Sequence, residues 1–110
     1  SPESPVLTEQ EMQDLTLALR TRLHYSPQDS TGWLLLGRIA IANRDVETAI
    51  GAMQKANKLK KNDVDIMLGY AQALMLSGDD TDRNQARELL IALVQRDSVD
   101  LRVFSLLAYA

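Results

Sequence analysis

The chain has 110 residues, 45% hydrophobic and 25% charged, with a formal net charge of −3 and no cysteine. That length suits one domain with a modest core. The acidic balance argues against a nucleic-acid partner, and the lack of cysteine excludes disulfides and thiolate zinc sites.

The opening "SPESPV" is polar and has no apolar core, so it reads as a flexible linker over residues 1–7 and not as a signal peptide. A helix is predicted over 8–25, where Thr8 and Glu11 make a capping box ahead of an apolar-periodic run. Ser26-Pro27 ends it, because proline disfavours helical geometry in the residue before it. The next helix, 30–43, follows Asp29 and carries the most apolar run of the chain, Trp33 to Ala42, broken only by Gly37 and Arg38. A membrane span needs about 20 consecutive apolar residues, so this run is too short. Asn43-Arg44-Asp45 is a turn, and a helix over 46–59 follows. Lys58, Lys60 and Lys61 are the densest basic cluster and read as a solvated helix end. Asp63 precedes a helix over 63–77, where a carboxylate suits the positive end of the helix dipole. "SGDDTDRN" is expected to be a loop, followed by helices over 82–96 and from 99 to the end.

Self-similarity ties these elements together. A shift of 34 residues places Trp33 on Met67, Leu36 on Tyr70, Gly37 on Ala71 and Asp29 on Asp63. A further shift of 37 reaches Phe104, Leu107, Ala108 and Asp100, and the same step takes Ala49 to Ala86 and Met53 to Leu90. The three extra residues fit the acidic loop. Large, large and small apolar positions thus recur in register, as stacked helical hairpins require.

"WLLLG", then Ala49, Met53 and Ala56, resembles the tetratricopeptide repeat, with its W-x2-L-G-x2-Y…A-x3-F…A…P signature. Trp33 and Leu36 are expected to fill the space between the helices of a unit, and Gly37 and Ala49 to be small where helices cross closely. There are departures: Ala40 and Leu74 stand for Tyr, Met53 and Leu90 for Phe, and Lys61 and Ser98 for Pro. The resemblance implies an all-α fold, a right-handed superhelix of antiparallel helix hairpins with about six helices. Its units would be a leading helix at 8–27, repeats at 30–62 and 63–98, and a truncated third repeat at 99–110, all in one domain over 8–110.

A narrower resemblance rests on "LRTRLHYSPQDSTGWLLLGRIAIANRDVETAI", "GYAQALML", the acidic stretch with "QARELL", and "LRVFSLLAYA". These are similar to bacterial cytochrome c-type biogenesis proteins of the CcmI/CycH kind, related to the NrfG-type assembly factor for nitrite reductase. The resemblance implies a periplasmic domain of a membrane-tethered inner-membrane protein. It would hold the C-terminal helix of apocytochrome c, or a related haem-protein peptide, for the haem lyase components.

The groove positions carried over by that resemblance are Thr31, Leu34, Arg38 and Ile41 in the first unit. Asp65, Leu68, Gln72 and Met75 follow in the second, and Arg102, Ser105 and Tyr109 in the last helix. An apolar stripe flanked by polar groups suits an amphipathic helix, and either arginine suits a peptide carboxylate. Other readings stand beside these. Leu34 and Ile41 are equally at home under the N-terminal helix, Met75 in the core, and Arg38 and Arg102 in solvent or paired with neighbouring acids. Trp33 and Phe104 read as packing residues.

Nothing in the sequence points to catalysis, a metal or a cofactor. His24 is the single histidine and reads as a surface or capping residue; Glu9, Glu11 and Asp14 lie on an exposed helix face. Asp79, Asp80 and Asp82 are expected in a loop that lacks the glycine and terminal glutamate of a calcium-binding hand. No phosphate-binding glycine loop or nucleophile motif occurs. Two functions remain: a peptide-binding assembly module, or a scaffold for self-association or docking within a larger complex. The apolar "SLLAYA" end favours the second through a homo-dimer over the truncated last helix.

Overall fold

A computed structural model of the protein describes residues 6–96 and 101–108, excepting the side chains of Leu101, Val103 and Phe104. Phe104's packing, Asp100, Tyr109 and most of the expected linker therefore lie outside the described residues. Within them the chain is all-helical: α1 (Glu9–Tyr25), α2 (Ser30–Ala42), α3 (Val46–Leu59), α4 (Val64–Ser77), α5 (Asp80–Val94) and α6 (Leu101–Leu107).

Helices α1 to α5 each start where a side chain can accept unpaired amides. Thr8 and Glu11 form the reciprocal capping box of α1. Asp29, Asp45, Asp63 and Asp79 cap α2 to α5, accepting from the amides of Gly32, Thr48, Ile66, and Thr81 with Asp82, respectively. The last of these corrects the expected acidic loop. Asp79 is the cap itself, and Asp80 and Asp82 lie in the first turn of α5, where negative charge suits the helix dipole. The connection from α4 shrinks to Gly78, in the left-handed conformation at φ 74°, and Asp79.

The helices pack as successive antiparallel pairs, α2 with α3 and α4 with α5. Contacts α1–α2, α3–α4, α2–α4 and α5–α6 stack the layers. Repeat-related residues share burial: Ala49 with Ala86 and Met53 with Leu90 are fully buried, and Leu36 and Tyr70 nearly so. Asp29 and Asp63 share the capping role.

The core forms two clusters. The larger, across α2 to α5, holds Met53, Met67, Leu68, Tyr70, Leu74 and Leu90. Met53 is wedged between two glycines: a Cβ on Gly37 would lie 2.7 Å from its Cε, and one on Gly69 would lie 2.6 Å away. The smaller cluster joins Leu19 and Leu23 of α1 to Leu36, Ile39 and Ala52, with Trp33 against it. Trp33 and Leu36 thus seat the leading helix as well as the hairpin. The radius of gyration, 14.5 Å, exceeds the ~13 Å of a compact globule of about 100 residues, as layered stacking produces.

Candidate functional site

The first helices of the units, α2, α4 and α6, meet around a cleft of about 340 Å³. It is lined by Arg38, Asp65, Leu68, Gly69, Gln72, Arg102, Ser105 and Leu106. Helical spacing explains the composition. Asp65, Leu68, Gly69 and Gln72 recur at three and four residues along one face of α4, and Arg102, Ser105 and Leu106 do so on α6.

Six sequence-predicted residues come together here: Arg38, Asp65, Leu68, Gln72, Arg102 and Ser105. Gln72 and Ser105 are exposed on the walls, while Leu68, only 4% exposed, is the floor and belongs to the main core. Leu34, Ile41 and Met75 are partly buried against that same core and do not line the cleft. The N-terminal helix covers Leu36 and Ile39 instead of Leu34 and Ile41. Thr31 is exposed at the first turn of α2, outside the cleft lining. Gly69 and Leu106 are additions that the carried-over register did not include. The signal for Gly69 was present in the sequence, as a glycine one residue after an apolar groove position.

The electrostatics centre on Asp65. Its Oδ1 lies 3.4 Å from Arg102 Nη2 and 3.8 Å from Arg38 Nη2, with all three side chains about half exposed. Such exposed pairs stabilise by roughly 0–1 kcal/mol and exchange readily with other partners. Two guanidinium groups facing one carboxylate leave a local excess of positive charge on an otherwise acidic chain. Apolar floor, amide and hydroxyl walls and a cationic rim together make a surface for an amphipathic segment bearing a carboxylate. Among the described residues no group of three or more His, Cys, Asp or Glu could hold a metal ion. No helix of the described residues is long and apolar enough to cross a membrane.

The comparisons with known proteins bear on the fold and the family. Residues 1–110 match the family model described as the cytochrome c-type biogenesis protein H TPR domain. The chain is 39% identical over 108 residues to the cytochrome c-type biogenesis protein CcmH of Escherichia coli (strain K12), covering 98% of this chain and 31% of that protein. The same figures hold for the CcmH of Shigella flexneri. A putative CcmH of Haemophilus influenzae is 38% identical over 99 residues, 90% of this chain and 22% of that protein. The chain therefore spans about a third or less of the length of these relatives. No solved structure gives a significant match. With its stacked helical hairpins matched over the whole length, the chain belongs to the family of the cytochrome c-type biogenesis protein H tetratricopeptide repeat domain.

Proposed function

We propose that this domain is a peptide-binding assembly module in c-type cytochrome maturation, and that its α2–α4–α6 cleft holds the C-terminal helix of an apocytochrome c. The observation that carries the reading is the cleft itself. An apolar floor at Leu68 and Leu106 lies beneath Gln72 and Ser105, and two arginines share one exposed carboxylate. An amphipathic helix would set its apolar stripe on the floor, and one of its carboxylates would compete with Asp65 for Arg38 and Arg102. The domain acts by binding and not by catalysis. It presents the peptide to haem ligation components from the periplasmic side of a membrane-tethered parent, as its family suggests.

Fluorescence anisotropy of a labelled peptide, the C-terminal helix of a c-type cytochrome, tests this. Leu68 is too buried for a charged substitution to report on binding alone, so Arg38→Glu and Ser105→Trp on the exposed rim are the informative variants. Saturable binding is expected for the native peptide and not for a scrambled one, with at least about ten-fold loss in each variant. No saturation at high micromolar protein would sink the reading. The competing reading is a homo-dimer through α6, favoured by Leu106 and Leu107, which the core covers only in part. Sedimentation across a concentration series distinguishes them, because mass that rises with concentration and falls with Leu107→Glu belongs to the dimer.

A further inference from the structure

A second cleft, of about 370 Å³, lies away from the first. Its lining is Arg20, Leu23 and His24 of α1, Pro27 of the following turn, Trp33 and Leu36 of α2, and Lys55 of α3. Buried Leu23 and Leu36 make the floor, at 3% and 2% exposure. The indole is held in place: Trp33 Nε1 donates to the Pro27 carbonyl at 2.7 Å. Arg20 comes from α1 and Lys55 from α3, and Arg20 Nη2 donates to Thr48 Oγ1 of α3 at 3.2 Å. Lys55 Nζ sits 4.9 Å from the Trp33 ring centroid.

The charge pattern is what points to a ligand. The lining holds two permanent cations and an imidazole and no carboxylate, in a chain whose net charge is −3. Among the described residues, the ion pairs join other groups and neither Arg20 nor Lys55 has an acidic partner. Their contacts are a neutral hydroxyl and an aromatic face, both readily exchanged for a carboxylate. We infer that this cleft is a second recognition site, for an acidic peptide segment whose apolar side chain enters between flanking carboxylates. The floor accepts one apolar side chain beside the indole. The cations from α1 and α3 then meet carboxylates on either side of that anchor, which a run of acidic, apolar and acidic residues supplies. The inference is independent of the α2–α4–α6 reading, because the two clefts share no lining residue.

Trp33 is the single tryptophan, so its emission reports this cleft directly. The probe is the acetylated, amidated pentapeptide Glu-Glu-Leu-Glu-Glu, beside Gln-Gln-Leu-Gln-Gln and Glu-Glu-Gly-Glu-Glu. A saturable emission change is expected with the first, and at least about ten-fold weaker binding with each control. Lys55→Gln, and Arg20→Gln with Lys55→Gln, should lose about ten-fold while keeping wild-type helicity by circular dichroism. Arg38→Gln with Gln72→Ala should bind the probe unchanged. Binding should also weaken several-fold between about 50 and 300 mM salt, since exposed charges are screened. No saturation at about 1 mM probe, equal binding of the glutamine peptide, or full affinity in the double variant would overturn the inference. Equally tight binding of phenylbutyrate would overturn the peptide assignment and leave a small-molecule carboxylate site.

Discussion

At the scale of single residues, short polar side chains decide where helices begin. Asp63 accepts the Ile66 amide at 3.0 Å, and that bond, followed by Lys60 at 3.4 Å, holds its carboxyl below the ordinary aspartate range despite opposition from burial. Asp29 is lowered in the same way, first by the Arg22 guanidinium and then by the Gly32 amide. A carboxyl depressed on folding contributes stability above its unfolded pKa, and loses it as pH falls through the folded value. The unfolding midpoint is therefore expected to be flat from about pH 7 to 5 and to drop below about pH 4. Asp63→Asn should keep the cap and flatten part of that acid slope; an unchanged slope in thermal melts would refute the assignment. Asp63→Ala should cost about 1 kcal/mol at neutral pH, measured by urea unfolding. Met53 makes a different residue-scale case. Either Gly37→Ala or Gly69→Ala pushes its thioether toward the other glycine, with helix propensity offsetting by about 1 kcal/mol. The two together leave it no room, so the double variant should be destabilised beyond the sum by at least about 1 kcal/mol in a mutant cycle. Met53→Ala should abolish that excess.

At the scale of elements, the helix ends differ in how well their residues suit their backbone. Gly78 closes α4 at φ 74°, in a conformation that an L side chain resists, whereas Arg44 adopts φ 56° in the turn after α2 without being glycine. Gly78→Ala should therefore lose about 1 kcal/mol and Arg44→Gly should gain up to about 1 kcal/mol, both read from chemical denaturation. If both shifted in the same direction, backbone strain would not be the cause. Helix positions were legible from periodicity and caps because those signals lie within a few residues of one another. The exception was instructive: the acids of "SGDDTDRN" resembled a loop by composition, yet Asp79 caps a helix that the remaining acids favour through its dipole. Composition alone does not distinguish a polar loop from a polar first turn.

At the scale of the whole molecule, stacking brings α2, α4 and α6 to one cleft and leaves another between α1 and α3. Asp65→Asn is expected to release Arg38 and Arg102 and to raise affinity for a carboxylate-bearing peptide by roughly three- to ten-fold, if the charged contact adds about 1 kcal/mol. Isothermal titration at low salt would read it; weaker binding would mean that Asp65 itself contacts the peptide.

From the sequence by itself came six helices, two hairpins and their repeat, two of the capping aspartates, Asp29 and Asp63, and the resemblance that named groove positions. All of these rest on short-range rules or on the register between equal units. Tertiary structure decided what register cannot express. It set Leu68 into the floor, drew Leu34, Ile41 and Met75 against the core, and turned two arginines onto one aspartate. It also gathered Arg20, Trp33 and Lys55 around a cleft that no periodic pattern marks. The physical reason is distance along the chain. Periodicity says which face of a helix is apolar, but only the rotation and crossing of helices tens of residues apart says which side chains on those faces meet.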